Sequence, residues 1–205
     1  MSLYRSWKSD PYSIAAIWKI EESEEWFTRQ ISVFPTAAFP QKRLEFLAAR
    51  YLLTLLYPEF PLSTIQADEQ GKPRLPQNQL EFSLSHSFPY VAAVISKDKP
   101  CGIDIQVWKN QVTRLQHKFL SPKEQLFFHN DMQQLLMAWC AKEAAYKWQG
   151  LRATAFIEHL QIQQYLSQDT HYEMQVLLTK NNPHTRLSIE TSIHPDFAFA
   201  IVTNK

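Results

Sequence analysis

Glycine is scarce in this 205-residue chain: Gly71, Gly102 and Gly150 are all there is. Three glycines cannot build a Walker loop or a GxGxxG turn, so nucleotide binding of the P-loop or Rossmann type is excluded. Each survivor is expected where the backbone must turn or another group must come close. Two cysteines, Cys101 and Cys140, stand in no CxxC or His-paired spacing. That excludes zinc modules and a disulfide framework and leaves both as small buried hydrophobes. No run approaches ~18 consecutive apolar residues, and Met1 to Asp10 offers no apolar h-region, so neither a membrane span nor a signal peptide is expected. The chain reads as cytoplasmic. Excess charge is missing too: 21 Lys+Arg against 20 Asp+Glu leave +1, so no global field draws it to nucleic acid or lipid. A polyanionic ligand must be held locally.

What is present suits a compact fold of one ordinary domain or two small ones: 45% hydrophobic residues and 13% aromatics, six of them Trp. Ile14 to Ile20 and the acidic cluster Glu21 to Glu25 predict a strand followed by a helix start. From Gln41 to Tyr57, Leu44, Leu47, Ala48, Tyr51, Leu52, Leu55 and Leu56 recur at the spacing of an amphipathic helix. Arg43 and Arg50 share one flank of it. Gln70-Gly71-Lys72-Pro73 and Pro76-Gln77-Asn78 read as turns. Glu81 to Ser87 alternates strictly, with Ser83, Ser85 and Ser87 on one face and Phe82, Leu84 and His86 on the other. Tyr90 to Ile95 reads as a strand buried on both faces, and Lys97 to Pro100 as a turn. Later strands are expected at Leu160 to Leu166, Glu173 to Thr179, Thr185 to Ile193 and Phe197 to Val202. Ser121-Pro122-Lys123-Glu124 carries the signature of a capping box.

Two constellations carry chemistry. In Cys101 to Val107, the alternation puts Gly102, Asp104 and Gln106 on one face. Taken alone, that face reads more readily as a solvated strand surface than as a site, yet Gly102 weakens a strand unless something packs closely on it. In Leu135 to Trp148, only Lys142, Glu143 and Lys147 are charged. A helix apolar nearly all round is a buried helix, and Glu143 and Lys147 fall in line with Leu136, Trp139 and Cys140. Charges placed there are expensive, so a paired, ligand-neutralised or metal-bound carboxylate competes with an ordinary i, i+4 pair.

Asp104 and Glu143 are 39 residues apart and suit one hard divalent ion, with Gln106 adding a neutral oxygen. So sparse a set fits Mg²⁺ completed by waters and substrate phosphates. Lys72, Lys142, Lys147, Arg43, Arg50 and His86 are the candidate phosphate binders. Metal plus dispersed cations is the equipment of phosphoryl-group transfer. It also fits a Mg²⁺-dependent phosphodiesterase or nuclease, against which the absence of a basic run argues. A serine hydrolase is a distant third reading, because Ser85 and His86 project to opposite faces.

Gly71-Lys72-Pro73, Phe82 to Ser87, Gly102 to Ile105 and Trp139 to Lys147, in this order, resemble 4′-phosphopantetheinyl transferases of the surfactin-synthetase-activating type. Phe119 to Glu124 is similar to the segment before that family's last motif. The resemblance implies an α+β fold of two similar subdomains forming a pseudo-dimer, residues 1–99 contacting the nucleotide of coenzyme A and residues 100–205 carrying metal and catalysis. It implies that Asp104 and Glu143, with Gln106, hold Mg²⁺, or Mn²⁺ in its place, against the pyrophosphate of coenzyme A. Glu143, directly or through a water, would take the proton of a serine of an apo acyl or peptidyl carrier protein, and Lys147 would balance charge on departing 3′,5′-ADP. Arg43, Lys72, Ser85, His86, Lys142 and Lys147 would contact coenzyme A. A monomer is implied. Many members carry an acid where this chain has Gln106, which predicts weaker metal binding. A coenzyme A or carrier-binding module without turnover is the non-catalytic alternative.

Overall fold

The helix periodicity from Gln41 onward and the strand alternation after Leu80 both materialise, in the first of two units. A computed structural model describes residues 2–69, 71–76, 80–97, 99–151, 153–168, 171–180 and 183–203. The fold is α+β with antiparallel sheets, and the chain forms two compact units, Met1–Cys101 and Gly102–Lys205. Gln70, Gln77, Asn78 and Asp98, which belong to the expected turns, lie outside the described residues.

The first unit is a four-stranded sheet in the order β1-β2-β6-β5, where β1 is Leu3–Asp10, β2 Ser13–Lys19, β5 Glu81–Ser87 and β6 Tyr90–Ser96. Two-residue strands β3 (Gln66–Ala67) and β4 (Pro73–Arg74) pair beside it. Helix α1 (Glu24–Gln30) is capped by the Ser23 hydroxyl, which accepts from Trp26 N. Helix α2 (Pro40–Leu56) packs on the sheet: Leu47, Ala48 and Leu52 of the predicted stripe are fully buried with Ala16, Val91 and Ala93, as is Leu53 outside it, while Leu55 of the stripe is exposed. Strand β6 is buried on both faces, as its unbroken apolar run requires. Strand β1 was not legible, since its exposed Leu3 and Tyr4 and half-buried Arg5 break any apolar alternation.

The second unit orders β7 (Ile103–Val107), β11 (Phe197–Thr203), β10 (Thr185–Ile193), β9 (His171–Leu178) and β8 (Leu160–Gln168) in one antiparallel sheet. Helix α5 (Met132–Gln149) lies across it, bordered by α3 (Gln111–Phe119), α4 (Pro122–Phe128) and the single turn α6 (Phe156–His159). Asp131 caps α5 at its start, and Gly150, at φ 68°, ends it in the left-handed region that glycine enters without strain. Leu135, Leu136 and Met137 are buried, each such side chain contributing about 1.5–3 kcal/mol. Further along α5 the buried residues turn small: Ala138, Ala141, Ala144 and Ala145 face a core that includes Ala198 and Ala200 of β11.

Small residues on both sides let helix and sheet come close, and Gly102 marks the limit. A Cβ at residue 102 would lie 2.0 Å from the carbonyl oxygen of Ala144 and 2.9 Å from Trp148 N. Both are backbone atoms and cannot swing aside. The glycine in a strand pattern is thus explained by a helix packed directly on it. The face it shares with Asp104 and Gln106 lies under α5: Asp104 is 6% exposed, which corrects the reading of that face as a solvated surface. Gly102→Ala is expected to cost about 1–3 kcal/mol or more through overpacking, read as a lower urea midpoint with an unchanged slope.

Candidate active site

The close approach of α5 brings three charged groups of the second unit together. Lys147 Nζ is 2.7 Å from Asp104 Oδ1 and donates to the Ile103 carbonyl at 3.1 Å, pinning α5 to β7. Cys140, one turn below Glu143, donates to the Ala198 carbonyl at 3.6 Å and lies near Asp104. Burial, and then the charge of Asp104, hold its thiol protonated, well above the ordinary range. Asp104 therefore has a cation beside it.

Glu143 has neither. It is half-buried and makes no hydrogen bond or ion pair among the described residues. Burial pushes its pKa up to about 7, the charge of Asp104 pushes the same way, and Lys147 opposes. A half-buried carboxylate without a partner, beside a second carboxylate, is a group waiting for a cation or a proton.

Glu143 also lines a pocket of about 540 Å³ with Leu115, Phe119, Trp139, Tyr146 and Phe156. The rings run edge to face or tilted around it, Phe119 to Trp139 at 5.1 Å, Trp139 to Phe156 at 5.5 Å and Phe156 to Tyr146 at 5.9 Å. Trp139, Glu143 and Tyr146 lie at i, i+4 and i+7, so one flank of α5 supplies wall, carboxylate and wall. Exposed Lys118 lines it as well.

Gln106 stands two residues beyond Asp104 on the same face of β7, its amide donating toward the Val107 carbonyl at 3.5 Å. Among the described residues no three His, Cys, Asp or Glu side chains form a metal cluster. Two carboxylates and a carboxamide are hard oxygen donors, and the unpaired Glu143 is the observation that fits them to Mg²⁺, which keeps waters and takes phosphate oxygens for its remaining positions.

Lys142 is placed elsewhere than expected. Its side chain is fully buried, with Nζ 2.6 Å from Glu124 Oε1, and it donates to the Phe119 and Phe156 carbonyls at 2.7 and 3.1 Å. Enclosed by three acceptors, this ammonium is not offered to a phosphate, which corrects its assignment as a contact to coenzyme A.

The other expected contacts lie in the first unit. His86 and Ser85 point to opposite sides of β5, His86 exposed and Ser85 buried. His86 Nδ1 is 3.4 Å from Glu45 Oε2 on α2, and Glu45, almost fully buried, also accepts from Lys42 at 2.7 Å and Gln41 at 3.1 Å. These hydrogen bonds, with His86, hold its pKa below the ordinary range although burial, the largest influence, works the other way. Arg43 is bonded to Glu24 at 2.9 Å and to the Ala38 carbonyl at 2.7 Å. Arg50 sits 3.8 Å over the Phe46 ring, and burial lowers its pKa to about 10. Lys72 is half-buried, which lowers its pKa, and its backbone N–H is held by Asp68.

Sequence reasoning missed Glu45, Glu124 and the pocket rings. Glu45 carried a signal, an acid on the apolar stripe of α2, three residues before Ala48. Glu124 was hidden because the capping box, which is present with Ser121, already accounted for it.

Residues 100–202 match the family model of the 4′-phosphopantetheinyl transferase superfamily, and the chain belongs to that superfamily. It is similar to a protein of Haemophilus influenzae named "Putative 4'-phosphopantetheinyl transferase", 29% identical over 134 residues, which are 60% of this chain and 56% of that protein. The chain thus spans little more than half the length of that relative. Gln106→Glu, by adding a charge beside Asp104, is expected to lower the half-saturating Mg²⁺ concentration severalfold in a titration at fixed pH. An unchanged value counts against Gln106 as a ligand.

Proposed function

We propose that this protein is a transferase of the surfactin-synthetase-activating type, moving the 4′-phosphopantetheine of coenzyme A to a serine of an apo acyl or peptidyl carrier protein. The observation that carries the reading is the unpaired Glu143, with a pKa near 7, at the edge of an apolar pocket and beside the Asp104–Lys147 pair. In this reading the C-terminal unit holds metal and reacting groups, and the N-terminal unit supplies nucleotide contacts through His86, Ser85, Lys72 and Arg43.

Asp104, Glu143 and the Gln106 carbonyl oxygen would hold Mg²⁺, which when bound neutralises charge on the pyrophosphate of coenzyme A. The serine Oγ bonds to the β-phosphorus while the pyrophosphate P–O bond breaks, and 3′,5′-ADP leaves with that electron pair. Glu143, directly or through a water, accepts the serine proton as general base. Lys147, fixed by Ile103 and Asp104, contributes a positive charge that the leaving group shares. The ring-lined pocket suits the long, thin pantetheine arm, which needs apolar walls more than ions.

The surface beside the pocket mouth supports an acidic partner. Lys109, Arg114, Lys118 and Lys123 are exposed on and around α3 and α4, with exposed Leu115 and Leu126 among them. The two acids at either end are engaged, Glu124 buried with Lys142 and Asp131 capping α5. Such a basic and apolar face complements the acidic surface of a carrier protein and steers its approach.

The test is the intact mass of an apo carrier protein incubated with enzyme, coenzyme A and Mg²⁺. Wild type is expected to add one phosphopantetheine. Glu143→Ala should abolish the gain, and Arg114→Glu/Lys118→Glu should raise KM for the carrier about tenfold with little change for coenzyme A. No gain with several carriers, while coenzyme A binds, would favour a binding module.

A further inference from the structure

We infer that the buried Lys142–Glu124 pair is the positioning element of the pocket beside Glu143: it holds the two aromatic walls that α5 does not itself carry, and so fixes what the pocket admits. The inference rests on the reading above in one respect, that the pocket takes the pantetheine arm.

An ammonium has three N–H donors, and here each has an acceptor: Glu124 Oε1 at 2.6 Å, the Phe119 carbonyl at 2.7 Å and the Phe156 carbonyl at 3.1 Å. Those carbonyls belong to the last residue of α3 and the first of α6. Both rings line the pocket, each in contact with Trp139. Lys142 thus holds, by backbone, the two walls that come from outside α5.

Glu124 anchors the lysine in turn. Its Oε1 also accepts from Ile162 N at 2.8 Å, and its Oε2 from Ser121 N at 2.7 Å. The ends of α3 and α6, the start of α4 and strand β8 are therefore tied to one point on α5. Glu143 is the next residue, so any slip of α5 against the walls moves the carboxylate with it. As a source of stability such a pair is weak, because the cost of desolvating two ions offsets their attraction. Its geometric effect remains: an unbranched side chain of one length sets the distance from α5 to both walls. Nothing about this role involves a phosphate, which separates it from the part expected of Lys142 from sequence.

The test is calorimetric binding of coenzyme A and of 3′,5′-ADP, which lacks the arm, to wild type, Glu124→Gln/Lys142→Met and Lys142→Arg. The double variant removes both charges together, leaving no buried ion unpaired. Lys142→Arg keeps the pair, but a planar fork cannot meet three acceptors arranged around an ammonium. Each variant is first checked for folding by circular dichroism, and if the double variant does not fold, Lys142→Arg carries the measurement. The expected result is coenzyme A binding weakened at least tenfold with 3′,5′-ADP changed less than twofold. Equal loss for both ligands, no loss for either, or failure of both variants to fold overturns the proposal and leaves the pair as scaffold. Wild type binding coenzyme A no more tightly than 3′,5′-ADP would instead overturn the assignment of the pocket to the arm, a failure distinct from the others.

Discussion

The distance between helix α5 and strand β7 is the constraint from which the site follows. At Gly102 the helix backbone stands where a side chain would be, with the Ala144 carbonyl only 2.0 Å from the position of a Cβ. At that separation Lys147 reaches both the Ile103 carbonyl and Asp104, and Glu143, one turn earlier, comes within the field of the same carboxylate. A wider spacing would admit water between these groups, and screening would dissolve their mutual influence. The alanines of α5 and β11 maintain the approach along the helix.

Several ionised groups are withdrawn from solvent in this chain, and the structure treats them differently. Lys142 and Glu124 satisfy every donor and several acceptors and form a closed, structural knot. Glu45 is held by Lys42, Gln41 and His86. Arg50 is covered by an aromatic ring. Glu143 alone among these is a carboxylate without a bonded partner among the described residues. Leaving a charge in that condition costs free energy that folding does not recover, so the arrangement makes physical sense when a ligand completes it.

Much of the architecture was legible because long periodic segments leave little choice. The α2 stripe, the alternation of β5, the apolar run of β6 and the capping box at Ser121 all form nearly where their patterns begin and end. Strand β1 and helix α3 escaped, one for lack of alternation and the other because only Val112 and Phe119 of its short span are buried. Within the site, Glu143 and Lys147 were legible from charge placed on a buried helix, whereas the strand face of Asp104 read more readily as solvated until α5 was seen to cover it. Lys142 was misread for the same reason: sequence reveals that a charge is buried, but the partner that neutralises it, Glu124, comes from another helix. The pocket walls, drawn from α3, α5 and α6, come together only in three dimensions.

The most direct test of this account is a carbon-13 NMR titration of the Glu143 carboxyl, assigned by difference against Glu143→Gln, with and without Mg²⁺. Without metal the account predicts a midpoint near 7, well above the ordinary 4.5. Because metal and proton compete for the same oxygens, saturating Mg²⁺ should move that midpoint down by more than about one unit. A midpoint near 4.5 that Mg²⁺ leaves in place would contradict the claim that Glu143 is the unpaired group around which the site is built.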